Sequence, residues 1–236
     1  MLVAAAVCPC PPLLVPEVAA GAASELDAAR AACLEAVGVL AAARPDLLIA
    51  VGPAGAADLG AYPEGATGSF SGFGVDLRVR LGTSDAGSGR RLPPSLSVAA
   101  WLLGRAEWAG APVEGLGVGE SLEPERCLAA GRELAGRAER VALLVMGDGS
   151  ACRTLKAPGY LDERAAGFDA AAARALGTAD VAALKALDVR PAYELKAAGR
   201  APWQVLAGAA DGMEPGGRLL YDDAPYGVGY YVATWS

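Results

Sequence analysis

The stretch VALLVMGDGSA, residues 141–151, shows the unit from which this chain is built. Six apolar residues, Val141–Met146, run without a break into Gly147, Asp148, Gly149 and Ser150. A short apolar run closed by turn residues reads as a buried strand, since a helix would need more length and a 3.6-residue period. On either side, Leu2–Val7 and Asp46–Val51 have the same character and also end in turn-rich segments, Cys8–Pro12 and Gly52–Gly55. A fourth strand, Gly229–Thr234, follows the segment Tyr221–Tyr230. Helical patterning fills the intervals. Pro16–Arg44 places Leu26, Cys33, Leu34, Val37, Leu40 and Ala41 at helical spacing, with Ser24 or Asp27 as caps within it. Further helices are expected over Pro94–Gly104, Pro124–Ala138, Asp162–Leu176, Ala179–Leu187 and Pro202–Ala210, whereas Gly52–Ser71 and Thr83–Pro94 read as loops. Strands alternating with helices predict a three-layer α/β sandwich around a mainly parallel or mixed central sheet, in one domain over residues 1–236.

The composition narrows the function classes. Of 236 residues 53% are hydrophobic and 20% charged, which is enough apolar material for a buried core. Twenty basic and 27 acidic residues give a net charge of −7, and no basic stripe is interleaved with aromatics, so nucleic acid is not an expected partner. No run reaches the ~18–20 apolar residues that a bilayer span requires, and no membrane partner is expected. Met1–Val7 is preceded by no basic residue and is cut off by Pro9, Pro11 and Pro12, unlike a signal peptide. Five scattered cysteines, Cys8, Cys10, Cys33, Cys127 and Cys152, do not form a disulfide framework. The cytoplasm is the expected compartment.

In an α/β sheet, ligands gather at the carboxyl ends of the strands, so the turns that follow them hold the candidates. Asp148 and Ser150 read either as a polar pair facing a ligand or as a helix cap or Asx-turn. No histidine exists anywhere in the chain, which excludes a Ser-His-Asp triad at Ser150. Asp222 and Asp223 suit Mg²⁺ or a shared proton, or else a solvated turn; neighbours on a strand face opposite ways, so at most one reaches a given pocket. Lys156, Tyr160 and Tyr226 read as donors to an anionic or phenolic ligand, or as surface and packing residues. Gly115–Gly119 lacks the spacing and the lysine of a phosphate cradle.

Five segments in order, from Cys8–Pro12 through Gly52–Gly55, Gly147–Ala151 and Ala157–Tyr160 with Phe168–Asp169 to Tyr221–Tyr230, resemble the LigB-like branch of class III extradiol dioxygenases and the related Memo-like proteins. The corresponding turns there read Cys-Pro-His-Pro-Pro, Ser-Pro-His-Gly and Gly-Asp-Leu-Ser-His. The resemblance implies that fold and, in active relatives, an iron held by two imidazoles and a carboxylate, with a third histidine as acid and base. In this chain Cys10 and Ala54 stand at the imidazole positions and Ala151 at the acid/base position, while Glu194 is the acid closest to the carboxylate's place before the helix at Trp203–Ala210. The metal site is therefore expected to be degenerate, with no cofactor. The expected function is small-ligand binding or a scaffold role with a partner subunit or a second copy, the alternative being iron-independent chemistry on a small aromatic or carboxylate substrate. Loss of the imidazoles is expected to leave an apolar cleft rimmed by Asp148, Ser150, Lys156 and one of Asp222 or Asp223, with Tyr160 or Tyr226 as a wall. The competing expectation is collapse, in which neighbours fill the space.

Overall fold

The computed structural model describes residues 1–84 and 90–236. Part of the expected Thr83–Pro94 loop, residues 85–89, lies outside the described residues. The chain runs β1 (Leu2–Cys8), α1 (Pro16–Ala19), α2 (Asp27–Ala42), β2 (Leu47–Pro53), β3 (Gly60–Tyr62), β4 (Thr67–Ser69), β5 (Arg78–Arg80), α3 (Pro94–Arg105), β6 (Val113–Val118), α4 (Pro124–Ala135) and β7 (Val141–Met146). It continues through α5 (Arg164–Gly177), α6 (Val181–Lys185), α7 (Val189–Glu194), α8 (Arg200–Ala209), β8 (Gly217–Asp223) and β9 (Tyr230–Trp235).

Seven strands form one sheet in the order β3-β6-β2-β7-β1-β9-β8, and β4 pairs with β5 apart from it. The four central strands are parallel, while β3, β9 and β8 run antiparallel to their neighbours. The strand period of two divides the apolar residues between two cores. On β7, Ala142, Leu144 and Met146 face one core with α2 and α3, through Cys33, Val37, Leu40, Leu96 and Leu103. Val141, Leu143 and Val145 face the other, with Cys127 and Leu134 of α4, Leu176 of α5 and Trp203 of α8. A strand buried on both faces has no polar alternation, which is why β1, β2 and β7 read as unbroken apolar runs. The result is a three-layer α/β sandwich with a mixed, mostly parallel sheet. Among the described residues no helix is long and apolar enough to cross a membrane.

Several expected elements differ in detail. The single helix expected over Pro16–Arg44 is α1, a 3₁₀ stretch Ala20–Leu26 and then α2; Ala20 takes a positive φ of 49°, which ends the first turn. Ser24 and Asp27 do not cap α2, whose preceding residue is Leu26. Asp27 instead pairs with Arg30 one turn on. The expected loop Gly52–Ser71 contains β3 and β4. Strands β5, β6 and β8 and helix α7 have no counterpart in the sequence patterning. β6 carries Gly115 and Gly117, poor strand formers, because a Cβ at Gly115 would stand 3.1 Å from both Leu81 and Leu96.

Candidate functional site

Parallel strands place their carboxyl ends on one edge, so the turns after β1, β2 and β7 are neighbours in the order β2-β7-β1. The β7 turn is stitched on both sides. Gly147 N–H donates to Cys8 O at 2.9 Å, and Gly149 N–H donates to Gly229 O at 2.7 Å, with Gly229 N–H returning to Ser150 O at 2.9 Å. The segment Tyr221–Tyr230 thereby joins the same edge. Gly199 N–H donates to Asp148 O at 2.8 Å, which brings the start of α8 there too.

Asp148 and Cys10 are the pair the structure brings together. Asp148 Oδ1 accepts the Cys10 backbone N–H at 2.8 Å. Burial pushes the Asp148 carboxyl up from 3.8 to about 7, against the smaller pull of that hydrogen bond. The Cys10 thiol is raised well above 9.0, first by burial, then by the charges of Asp148 and Glu120. The Tyr230 phenol is also pushed up, by burial and then by Asp148 and Cys10. At neutral pH this edge therefore presents a protonated thiol, a protonated phenol and a carboxyl close to half ionised.

Ser150 lies beneath the edge rather than on it. It is fully buried, its N–H donates to Asp169 Oδ1 and its hydroxyl to Asp169 Oδ2, both at 2.8 Å. Arg153 donates to the same carboxylate at 3.1 Å. The Tyr231 hydroxyl is enclosed beside it, and burial followed by the Asp169 charge raises that phenol. Gly149 is required by this cluster, since a Cβ there would stand 2.9 Å from Asp169 Oδ1. Asp169 was legible only as the acid of the Phe168–Asp169 pattern and Tyr230 only as the last residue of the Tyr221–Tyr230 segment, while Glu120 and Arg153 carried no signal in the sequence.

The remaining candidates are spread around the edge. Lys156 is exposed, and so is Tyr160, whose φ is 63°. Asp222 and Asp223 are exposed on the edge strand β8. Asp223 Oδ1 accepts the Ala224 N–H at 2.7 Å, so this side chain closes a turn. Asp222 is raised by burial, with Arg153 opposing. Tyr226 is half-buried with an enclosed hydroxyl, and its phenol is raised by burial and then by Glu25. Glu194 accepts from Arg164 at 2.7 Å and from Arg190 at 2.9 Å. Beyond α7, Arg200 is buried and donates to Leu122 O at 2.6 Å, to Gln204 Oε1 at 2.8 Å and to Glu120 O.

The donors do not fit an iron of the kind the resemblance implies. Ala54 and Ala151 offer methyl groups, the Cys10 thiol holds its proton, and one Asp148 oxygen already holds an N–H. Among the described residues no group of three or more Cys, Asp and Glu side chains is placed to hold a metal ion. Nor do five clefts of about 160 to 690 Å³ take in Cys10, Ala54, Asp148 or Ala151. Cys10 and Ala151 are only 7% and 9% exposed, which is the geometry of a largely filled site.

No known family's sequence model matches this chain, and no curated protein matches it. Among solved structures it is similar to the uncharacterized protein JW3007 from Escherichia coli K12, with a TM-score of 0.53 and 13% identity over 99% of this chain and 100% of that one. At that identity the likeness establishes a shared α/β sandwich fold.

Proposed function

We propose that this chain is a non-catalytic relative of the LigB-like extradiol dioxygenases that acts by binding, as a scaffold or partner subunit. The observation that carries the reading is the state of the three imidazole positions, where Cys10 and Ala151 are only 7% and 9% exposed and the third is Ala54. Methyl groups at Ala54 and Ala151 supply neither ligand nor proton. A general acid/base contributes roughly 10²–10⁴ in rate. Its absence together with that of the metal ligands supports a chain without ring-cleaving activity. The burial of Cys10 and Ala151 favours partner binding over a deep small-molecule site at this edge.

The test is elemental analysis of protein from an iron-supplemented host, followed by anaerobic addition of Fe²⁺ and assay with protocatechuate and catechol. Iron well below one per chain and no ring-fission product above the buffer control are expected. Iron near one per chain, or yellow product in proportion to protein, would overturn the reading. A second reading, iron-independent acid/base chemistry, rests on one specific observation: the Asp148 carboxyl is poised near 7 beside a thiol. It predicts a bell-shaped or sigmoid pH profile that Asp148→Asn abolishes, in whatever turnover is detected on small carboxylate or phenolic substrates.

A further inference from the structure

Away from the strand-end edge, β4 and β5 form a small ribbon against α3. Its register sets Thr67 opposite Arg80, Gly68 opposite Val79 and Ser69 opposite Arg78. Directly opposed residues of an antiparallel pair share a face, and faces alternate along the strand. Gly68 and Val79 therefore turn one way, towards α3, where a Cβ on Gly68 would stand 3.0 Å from both Ser97 Cβ and Val79 Cγ2. Thr67, Ser69, Arg78 and Arg80 share the opposite face. A parallel bridge sets Arg91 beside Thr67, adding a third arginine to it.

These residues line a groove of about 420 Å³, together with Ser71 and Asp76. Three arginines and one aspartate thus line the groove, in a chain whose net charge is −7, and Arg80 among them donates to Ser84 O at 3.3 Å. Among the described residues, the side chains of Arg78 and Arg91 make no hydrogen bond or ion pair. Ser69 donates its hydroxyl to Ser71 Oγ at 3.1 Å, which leaves the Ser71 O–H directed elsewhere. Guanidinium forks and hydroxyl donors match the oxygens of phosphoryl and carboxylate groups, bidentately where geometry allows. The volume lies within the ~300–1,000 Å³ of small-ligand sites.

We propose that this groove binds a small, multiply charged oxyanion, with Arg78 and Arg91 as its principal ligands and Thr67 and Ser71 completing the donors. The inference is independent of any activity at the strand-end edge. The test is titration calorimetry of the full chain with pyrophosphate and with citrate, each at matched ionic strength against chloride. Variants are Arg78→Ala, Arg91→Ala and the double substitution, with Arg126→Ala as the control. All three arginines are exposed, and circular dichroism verifies the fold of each variant. Saturable binding is expected, weakened about tenfold by each groove substitution, further by the double one, and not by Arg126→Ala. Binding of pyrophosphate alone identifies a phosphoryl ligand, binding of citrate alone a polycarboxylate, and either outcome supports the site. No saturable binding of either anion, or binding that the double variant retains in full, would overturn the proposal.

Discussion

At neutral pH Asp148 is close to half protonated, because burial moves its carboxyl from 3.8 to about 7 while the Cys10 N–H recovers only part of that shift. Below about pH 4 the folded and unfolded chains both hold the proton. As pH rises towards 7 the unfolded chain releases it and the folded one keeps it, so stability falls through this window and levels off above it. Asp148→Asn retains an acceptor for the Cys10 N–H and removes the titration. Urea unfolding from pH 4.5 to 8.5 should therefore show a flatter profile for the variant. It should gain on the unsubstituted chain by about 2 kcal/mol at pH 8.5, out of a ceiling of about 4 set by the size of the shift, because the partly exposed residue keeps some hydration. Parallel profiles would contradict this. Asp169 presents the opposite case, a buried carboxylate with three donors, Ser150 N–H, Ser150 Oγ and Arg153. Asp169→Ala leaves two buried serine donors without acceptors and should cost about 3 kcal/mol in the same measurement; a loss under about 1 kcal/mol would mean that solvent replaces it.

Among the elements, helices α4 and α8 meet backbone to backbone through two glycines. A Cβ on Gly131 would press on Val205 O and stand 2.6 Å from Ala209 N, and one on Gly208 would meet Leu128 Cα at 2.6 Å. Backbone atoms cannot step aside as a side-chain end can, so Gly131→Ala must part the helices. A loss of about 2–3 kcal/mol in urea unfolding is expected. Gly38 lies in the exposed interior of α2 with nothing within 4 Å of its would-be Cβ. Gly38→Ala should therefore stabilise by about 0.5–1 kcal/mol, the ordinary helix-propensity gain. The same substitution thus takes opposite signs in two helices, and equal effects would show that the close crossing of α4 and α8 carries no weight. Element legibility followed the same physics. β7 and β1 were readable because burial on both faces leaves a bare apolar run. β6 was hidden by glycines that close packing demands, and β8 by its exposed charges Arg218, Asp222 and Asp223 on an edge strand.

In the molecule as a whole, the last strand occupies an interior place in the sheet. All six residues of β9 are buried, between β1 and β8, although it is the final element of the chain. Cutting the chain before Tyr230 should strip Trp235 and Tyr231 from one core and bare the edge of β1. Loss of the cooperative thermal transition, followed by near-ultraviolet circular dichroism, is the expected outcome. A truncated chain that still melts sharply near the full-length temperature would refute the placement. The acidic surface and the arginine groove also belong here, because only the paired register of β4 and β5 turns three dispersed arginines into one face.

The strands β1, β2 and β7, their flanking helices and the glycine turns between them were legible in the amino-acid sequence, since burial and turn chemistry act within a few residues. That no imidazole stands at Cys10, Ala54 or Ala151 was equally plain, as composition alone excludes it. What those positions became is a property of the folded chain. Whether Asp148 faces a ligand or holds the Cys10 N–H, and whether Ser150 lines a cleft or serves Asp169, depends on contacts between residues 138 and 19 positions apart. Short-range patterning sets which face a residue takes, but not which distant partner meets it there, because that partner is brought up by the strand order of the finished sheet.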